Sequence, residues 1–113
     1  MRPQCGSTRC LPTSCLGPEI GRLLAEANVT CPVTVTPLLR KDSLEMTDAD
    51  RSLIARAVAE ADETRLLITH GTDTMVETAR ELAGIGGKTV VLVGAMQPAR
   101  LRASDAEFNI GFA

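Results

Sequence analysis

The chain has 113 residues, a net charge of −2 and only two aromatic residues, Phe108 and Phe112. That length suits one modest domain burying about 65% of its unfolded surface, with a core built from Leu, Val, Ile, Ala and Met. Charges of both signs are scattered and exposed aromatics are wanting, so neither a phosphate-binding basic patch nor a base-stacking surface is expected, which argues against a nucleic-acid partner.

Residues 1 to 16, MRPQCGSTRCLPTSCL, have no clear period and are rich in Cys, Pro, Ser and Thr, so they read as irregular. Arg2 and Arg9 accompany no apolar h-region, and no apolar run approaches the ~20 residues of a membrane helix. A cytoplasmic protein without a membrane partner is therefore expected. Cys5, Cys10 and Cys15 are spaced five apart, which fits no zinc site, and with Cys31 they read as free thiols rather than a disulfide framework. No metal is expected.

From Pro18, Ile20, Leu23, Leu24 and Ala27 mark one face of a helix with proline in its first turn. Val33 to Thr36 is a short β-prone run that Pro37 interrupts, as at an edge or a strand end. RKDSLEM reads as a loop. The next helix begins near Asp48, with Thr47 and Asp50 as a weaker, acidic variant of the capping box and Leu53, Ile54, Ala57, Val58 and Ala61 as its buried stripe. RLLIT (65–69) is a predicted strand, MVETARELAG (75–84) a helix closed by Gly84, and KTVVLVG (88–94) a strand. The apolar runs Leu66 to Ile68 and Val90 to Val93 suit strands buried on both faces. Strands alternating with amphipathic helices imply an α/β fold with right-handed crossovers: a three-layer, mostly parallel sheet, Rossmann-like or flavodoxin-like. SDAEFNIGFA starts a further helix, with Ser104 and Glu107 as a capping box and Phe108 and Phe112 on one face. Its stripe stops in mid-course, which suggests an incomplete element.

The stretch His70-Gly71-Thr72-Asp73-Thr74 gathers small polar side chains on one βα turn. Thr74 and Glu77 form the S/T-x-x-E pattern of a capping box, which assigns Thr74 a structural job worth about 1 kcal/mol. Met75, Val76, Ala79, Leu82 and Ala83 supply the apolar face beyond it. Asp73 gains from the helix dipole. Thr72 has no such role, and it lies at the carboxyl end of a buried strand, where open parallel sheets bind ligands. Gly71 lets the turn approach a substrate closely. A hydroxyl beside a carboxylate at a helix start is a candidate nucleophile or substrate-orienting pair. His70, a single histidine at a strand end, reads as packed rather than catalytic.

HGTDTMVETARELAG, followed by KTVVLVGAMQPARLRASDAEFN and preceded by DSLEMTDAD, resembles the bacterial-type L-asparaginase/glutaminase family, and more narrowly its short single-domain members. The resemblance runs from about Gly17 to the last residue, so residues 17–113 read as a partial asparaginase N-terminal-type domain behind a non-family amino terminus, 1–16. It implies hydrolysis of L-asparagine, or of L-glutamine, to the acid and ammonia, with no metal or organic cofactor, in a homo-oligomer. It further implies that Thr72 and Asp73 are catalytic members of a Thr–Lys–Asp group, with Asp73 also holding the substrate's α-ammonium. Ser43 would fix the α-carboxylate, Gly71 would line the pocket, and Ala95 would offer a backbone contact near the scissile amide. Leu44 and Gln97 depart from the residues common in relatives.

Two family parts are not found. The first threonine, in a TGGTI-like turn, should precede Gly17, where Thr8 and Thr13 are candidates only in name. The family's lysine would lie beyond the last residue. Lys88 opens a strand ~15–17 Å from its ligand-binding end, and Lys41 does not match, so both read as solvated charges. The expectation is a chain that is truncated at both ends and catalytically incomplete. GIGGKT (84–89) is no phosphate loop, because Leu82 stands where its first glycine belongs and a strand follows. A non-catalytic amino-acid-binding or assembly fragment is the remaining alternative.

Overall fold

Apolar runs of about five residues extend as strands when a ladder is available, and here two such runs, in RLLIT and TVVLV, join two shorter or less apolar segments. A computed structural model describes residues 7–13, 22, 24–25, 32–41 and 43–94. Strands β1 (Thr8–Pro12), β2 (Val33–Val35), β3 (Arg65–Thr69) and β4 (Thr89–Val93) form one sheet in the order β2-β1-β3-β4, all parallel. Helix α1 (Asp48–Glu60) separates β2 from β3 in sequence, and helix α2 (Met75–Leu82) separates β3 from β4. A single 3-10 turn, Ser43–Glu45, precedes α1. This is the α/β architecture expected.

Strand β1 corrects the irregular reading of the first sixteen residues and adds a fourth strand to the three predicted. TRCLP has too few apolar residues to signal a strand locally, yet it pairs along its whole length with β3 and over three residues with β2. Its proline sits at the last position, where a missing N–H disturbs the ladder least. Arg9, the charge that hides the strand, is held by Glu63 through Nε and Nη2 (2.7 and 2.8 Å), while Nη1 donates to the Thr36 hydroxyl at 2.7 Å. That bidentate geometry matches guanidinium to carboxylate and holds the Glu63 carboxyl below its ordinary range. Cys10 is a buried free thiol, and burial pushes it up to about 11, leaving little thiolate near neutral pH.

The core lies on one face of the sheet. Leu11, Leu66 and Ile68 from the central strands meet Ile54 and Val58 of α1, Leu82 of α2 and Met46. Along α1 the buried positions are Arg51, Ile54 and Val58, a helical i, i+3, i+7 stripe, whereas Leu53 is 38% exposed and does not belong to it. Along α2 the buried positions are Thr78 and Leu82, with Met75 and Ala79 half-buried; Val76 is 61% exposed and Ala83 is also exposed, so the buried face is rotated away from Val76 and Ala83 toward Thr78. Val91 of the edge strand β4 is partly open to solvent rather than buried on both faces.

The two capping boxes exchange expectations. At α1 the acidic variant is complete: the Asp50 amide donates to Thr47 Oγ1 and the Thr47 amide donates to the Asp50 carboxylate. At α2, Thr74 is the N-cap residue, but at φ −122° and ψ 24° it makes no side-chain cap hydrogen bond. An N-cap needs an extended backbone to turn its oxygen onto the first amides, and the turn preceding α2 withholds that conformation. The helix ends at Ala83 in ordinary helical geometry, and the glycine in the left-handed region is Gly87 (φ 75°), not Gly84.

The lysines are not solvated charges. Lys41 pairs with Asp50 at 2.8 Å, and Lys88 donates to the carbonyls of Ala61 and Glu63 at the amino edge of the sheet. Arg22, Leu24 and Ala25 are helical, within the helix expected from Pro18. The rest of that helix, the one beginning at Ser104, and Ala95 lie outside the described residues. Among the described residues no helix is long and apolar enough to cross a membrane.

Two outcomes follow for urea and acid titrations. Ile54 is fully buried, so Ile54→Val should cost about 1 kcal/mol and Ile54→Ala about 2–5 kcal/mol in denaturant unfolding. The Asp50 carboxyl is held low, first by the Lys41 hydrogen bond and then by the Thr47 amide. A depressed folded value means stability that is full above the unfolded value of about 3.9 and lost as pH falls below it through the folded value. Asp50→Asn should therefore lower Tm at pH 7 and shrink the acid-dependent part of the stability curve.

Candidate functional site

In a parallel sheet all carboxyl ends lie on one rim, and here that rim carries Thr13 after β1, His70 to Thr74 after β3 and Gly94 after β4. The segment after β2 is drawn onto the same rim by backbone bonds: Thr36 N–H to the Cys10 carbonyl, Leu38 and Leu39 N–H to the Pro12 carbonyl, and Lys41 N–H to the Thr13 carbonyl. It leads directly into the Ser43–Glu45 turn. Of the residues assigned from sequence to one pocket, the backbones of Ser43, Gly71, Thr72 and Asp73 thus sit on loops of one rim, the end of an open α/β sheet where ligand sites are found.

The rim is fixed by buried polar pairs. The Thr13 hydroxyl donates to the Thr69 carbonyl at 2.5 Å with both residues fully buried, and the Thr13 amide donates to the same oxygen. That hydroxyl is committed to holding β1 and β3 together where they leave the sheet. The His70 amide donates to the Val93 carbonyl at 2.9 Å, which ties the turn to β4. Gly94 lies so close that a Cβ there would come 2.5 Å from the His70 carbonyl oxygen, 2.9 Å from Met75 Cε and 3.2 Å from Thr72 Cγ2. Only glycine lets the end of β4 rest against this turn.

His70 is packed, as its position suggested. It is 1% exposed, with Nδ1 2.6 Å from the Gly71 carbonyl oxygen and Nε2 2.7 Å from the Thr78 hydroxyl. Burial is the main force holding its pKa below the ordinary range, and the Arg51 guanidinium adds to it, while the Gly71 carbonyl works in the opposite direction. The neutral ring is thereby favoured. With both nitrogens engaged it has no lone pair left to activate a hydroxyl or a water.

Thr72 and Asp73 stand exposed on the turn between β3 and α2. A carboxylate there can bind a cationic amine, and a hydroxyl beside it can orient or attack a carbonyl. The side chain of Ser43 lies outside the described residues, although its backbone opens the 3-10 turn. Sequence reasoning missed Thr78 and Met46, whose side chains touch beneath the turn, with the Thr78 oxygen 3.8 Å from Met46 Sδ. The available signal was a threonine on the buried face of a helix, where an apolar residue is the rule. Among the described residues there is no cluster of three or more His, Cys, Asp or Glu able to hold a metal ion.

Comparison with known proteins agrees with the fold and the motifs. The chain is 40% identical over 77 residues to a probable periplasmic L-asparaginase of Haemophilus influenzae, across 65% of this chain and 22% of that relative. It is 50% identical over 46 residues to L-asparaginase 2 of Escherichia coli, across 39% of this chain and 13% of the relative. It is also 41% identical over 59 residues to L-asparaginase 2-3 of Saccharomyces cerevisiae, covering 50% and 16% respectively. The matches thus span less than a quarter of each relative. The family model described as asparaginase, N-terminal, matches residues 7–113, strand β1 included, and the chain belongs to the asparaginase N-terminal domain family.

Proposed function

We propose that the carboxyl rim of this sheet is the amino-acid-holding part of an amidohydrolase site, with L-asparagine as the substrate class and L-glutamine as a longer variant. One observation carries the reading: an exposed Thr72 hydroxyl beside an exposed Asp73 carboxylate, on a turn whose backbone is fixed by buried contacts. In this reading Asp73 binds the α-ammonium, the Ser43 turn receives the α-carboxylate, and Gly71 and Ala95 line the side-chain amide. Thr72 polarises or attacks that amide. Hydrolysis adds water across the amide carbonyl carbon, breaks the C–N bond and releases ammonia with the new carboxylate.

A base must take the proton from the attacking oxygen, and the histidine and both lysines are committed elsewhere. His70 is locked between Gly71 and Thr78, Lys41 is paired with Asp50, and Lys88 sits at the amino edge of the sheet. The chain by itself should therefore bind the amino acid and turn it over weakly or not at all. Association into a homo-oligomer is part of this proposal.

The test pairs ammonia release from L-asparagine with a thermal-shift titration by L-aspartate, on the chain as given and on Thr72→Ala and Asp73→Asn. L-Aspartate at ten times its Kd should stabilise the chain by about 1.4 kcal/mol, a shift of several degrees in Tm. Asp73→Asn should abolish the shift, and ammonia release should not exceed the enzyme-free control. Release that Thr72→Ala removes would overturn the inactive reading and make the turn catalytic in isolation. No shift with any amino acid would overturn the binding reading.

A further inference from the structure

We infer that His70, Thr78 and Met46 form a buried latch that sets the Gly71–Asp73 turn in register with the Ser43–Glu45 turn, so that His70 and Thr78 are positioning residues for the rim. The ligand identity in this inference rests on the reading above; the latch itself does not.

With the ring neutral, the contacts allow one arrangement of protons. The Gly71 carbonyl can only accept, so His70 Nδ1 carries the hydrogen in the 2.6 Å contact. In the neutral ring Nε2 is then a lone pair, and the Thr78 hydroxyl must donate to it at 2.7 Å. That uses the only proton on Thr78, whose oxygen rests against Met46 Sδ at 3.8 Å. His70 and Thr78 are 1% and 0% exposed, so water does not compete for these bonds. Arg51, on the facing helix α1 and paired with Asp48 at 3.2 Å, is the charged group that opposes protonation of the ring. It thereby adds to burial in keeping the ring neutral, while the Gly71 carbonyl sets which nitrogen carries the hydrogen.

Each end of this chain of contacts lies beside a proposed ligand contact. The ring grips the peptide that leads from Gly71 into Thr72, and Met46 directly follows the 3-10 turn that Ser43 opens. Thr78 sits one turn into α2, where its amide also donates to the Thr74 carbonyl. A valine there would fill the same space without desolvating a hydroxyl. The hydroxyl is therefore retained for what it orients, and that is the imidazole.

Three measurements test the latch. The ring-nitrogen NMR spectrum of the intact chain should show His70 with Nδ1 protonated and Nε2 bare at pH 7; the opposite tautomer, or a doubly protonated ring, overturns the proposal without any variant. Thr78→Val should speed amide exchange at Gly71, Thr72 and Leu44 about tenfold while leaving Val58 in α1 unchanged, and Thr78→Ser should restore it. Unchanged exchange at the two turns in Thr78→Val overturns it as well. L-Aspartate affinity should weaken about tenfold in Thr78→Val and recover in Thr78→Ser. If the parent chain fails to bind L-aspartate, the ligand reading falls while the tautomer and exchange results still judge the latch.

Discussion

The whole arrangement depends on how two central strands end inside the protein. A buried carbonyl that leaves a sheet must still be paired, because desolvating it without a partner costs as much as a lost hydrogen bond. Where β3 ends, the Thr69 carbonyl takes both the amide and the hydroxyl of Thr13. Where β1 ends, the Pro12 carbonyl takes the amides of Leu38 and Leu39. These bonds bring the segment after β2 onto the carboxyl rim, and with it the Ser43 turn. The rim is thus assembled by the need to satisfy backbone groups, and the exposed polar side chains are placed on it as a consequence.

The same need explains what was legible in the sequence. Strands β3 and β4 were readable from their continuous apolar runs and helix α1 from its periodic stripe, which burial on the core face then uses. Strand β1 was not. Its hydrophobic content is Cys10 and Leu11, and Arg9 lies within it. What makes TRCLP a strand is pairing on both sides and a carboxylate at Glu63, more than fifty residues away in sequence. No local window contains that partner. Composition alone therefore missed β1, although it found β2, β3 and β4.

Capping chemistry was legible only where the backbone agreed. Thr47 lies in an extended conformation (φ −102°, ψ 170°), so even the short Asp50 side chain completes the reciprocal box. The Thr74–Glu77 pattern is stronger on paper but has the wrong backbone, because the turn from His70 to Thr74 is already held by β4 and by the imidazole. Tertiary contacts prevail over a local preference worth about 1 kcal/mol. Thr74 was thus given the structural job that, in part, belongs to Thr78, a residue whose importance shows only once α2 is packed against His70.

The division between an exposed polar turn and bases committed to structure is itself a physical statement. Recognition of an amino acid needs fixed charges at the right places, and those can be supplied by backbone turns and exposed carboxylates on a rigid rim. Proton transfer needs a group whose protonation can change during the reaction. The imidazole here is pressed toward its neutral state by burial and by Arg51, with both nitrogens occupied, so it serves geometry and gives up chemistry. Lys41 likewise gives its charge to the helix cap through Asp50. His70 thus shapes the turn and Lys41 the cap of α1, and the rigidity they give the rim is what fixes the exposed Thr72 and Asp73 in place.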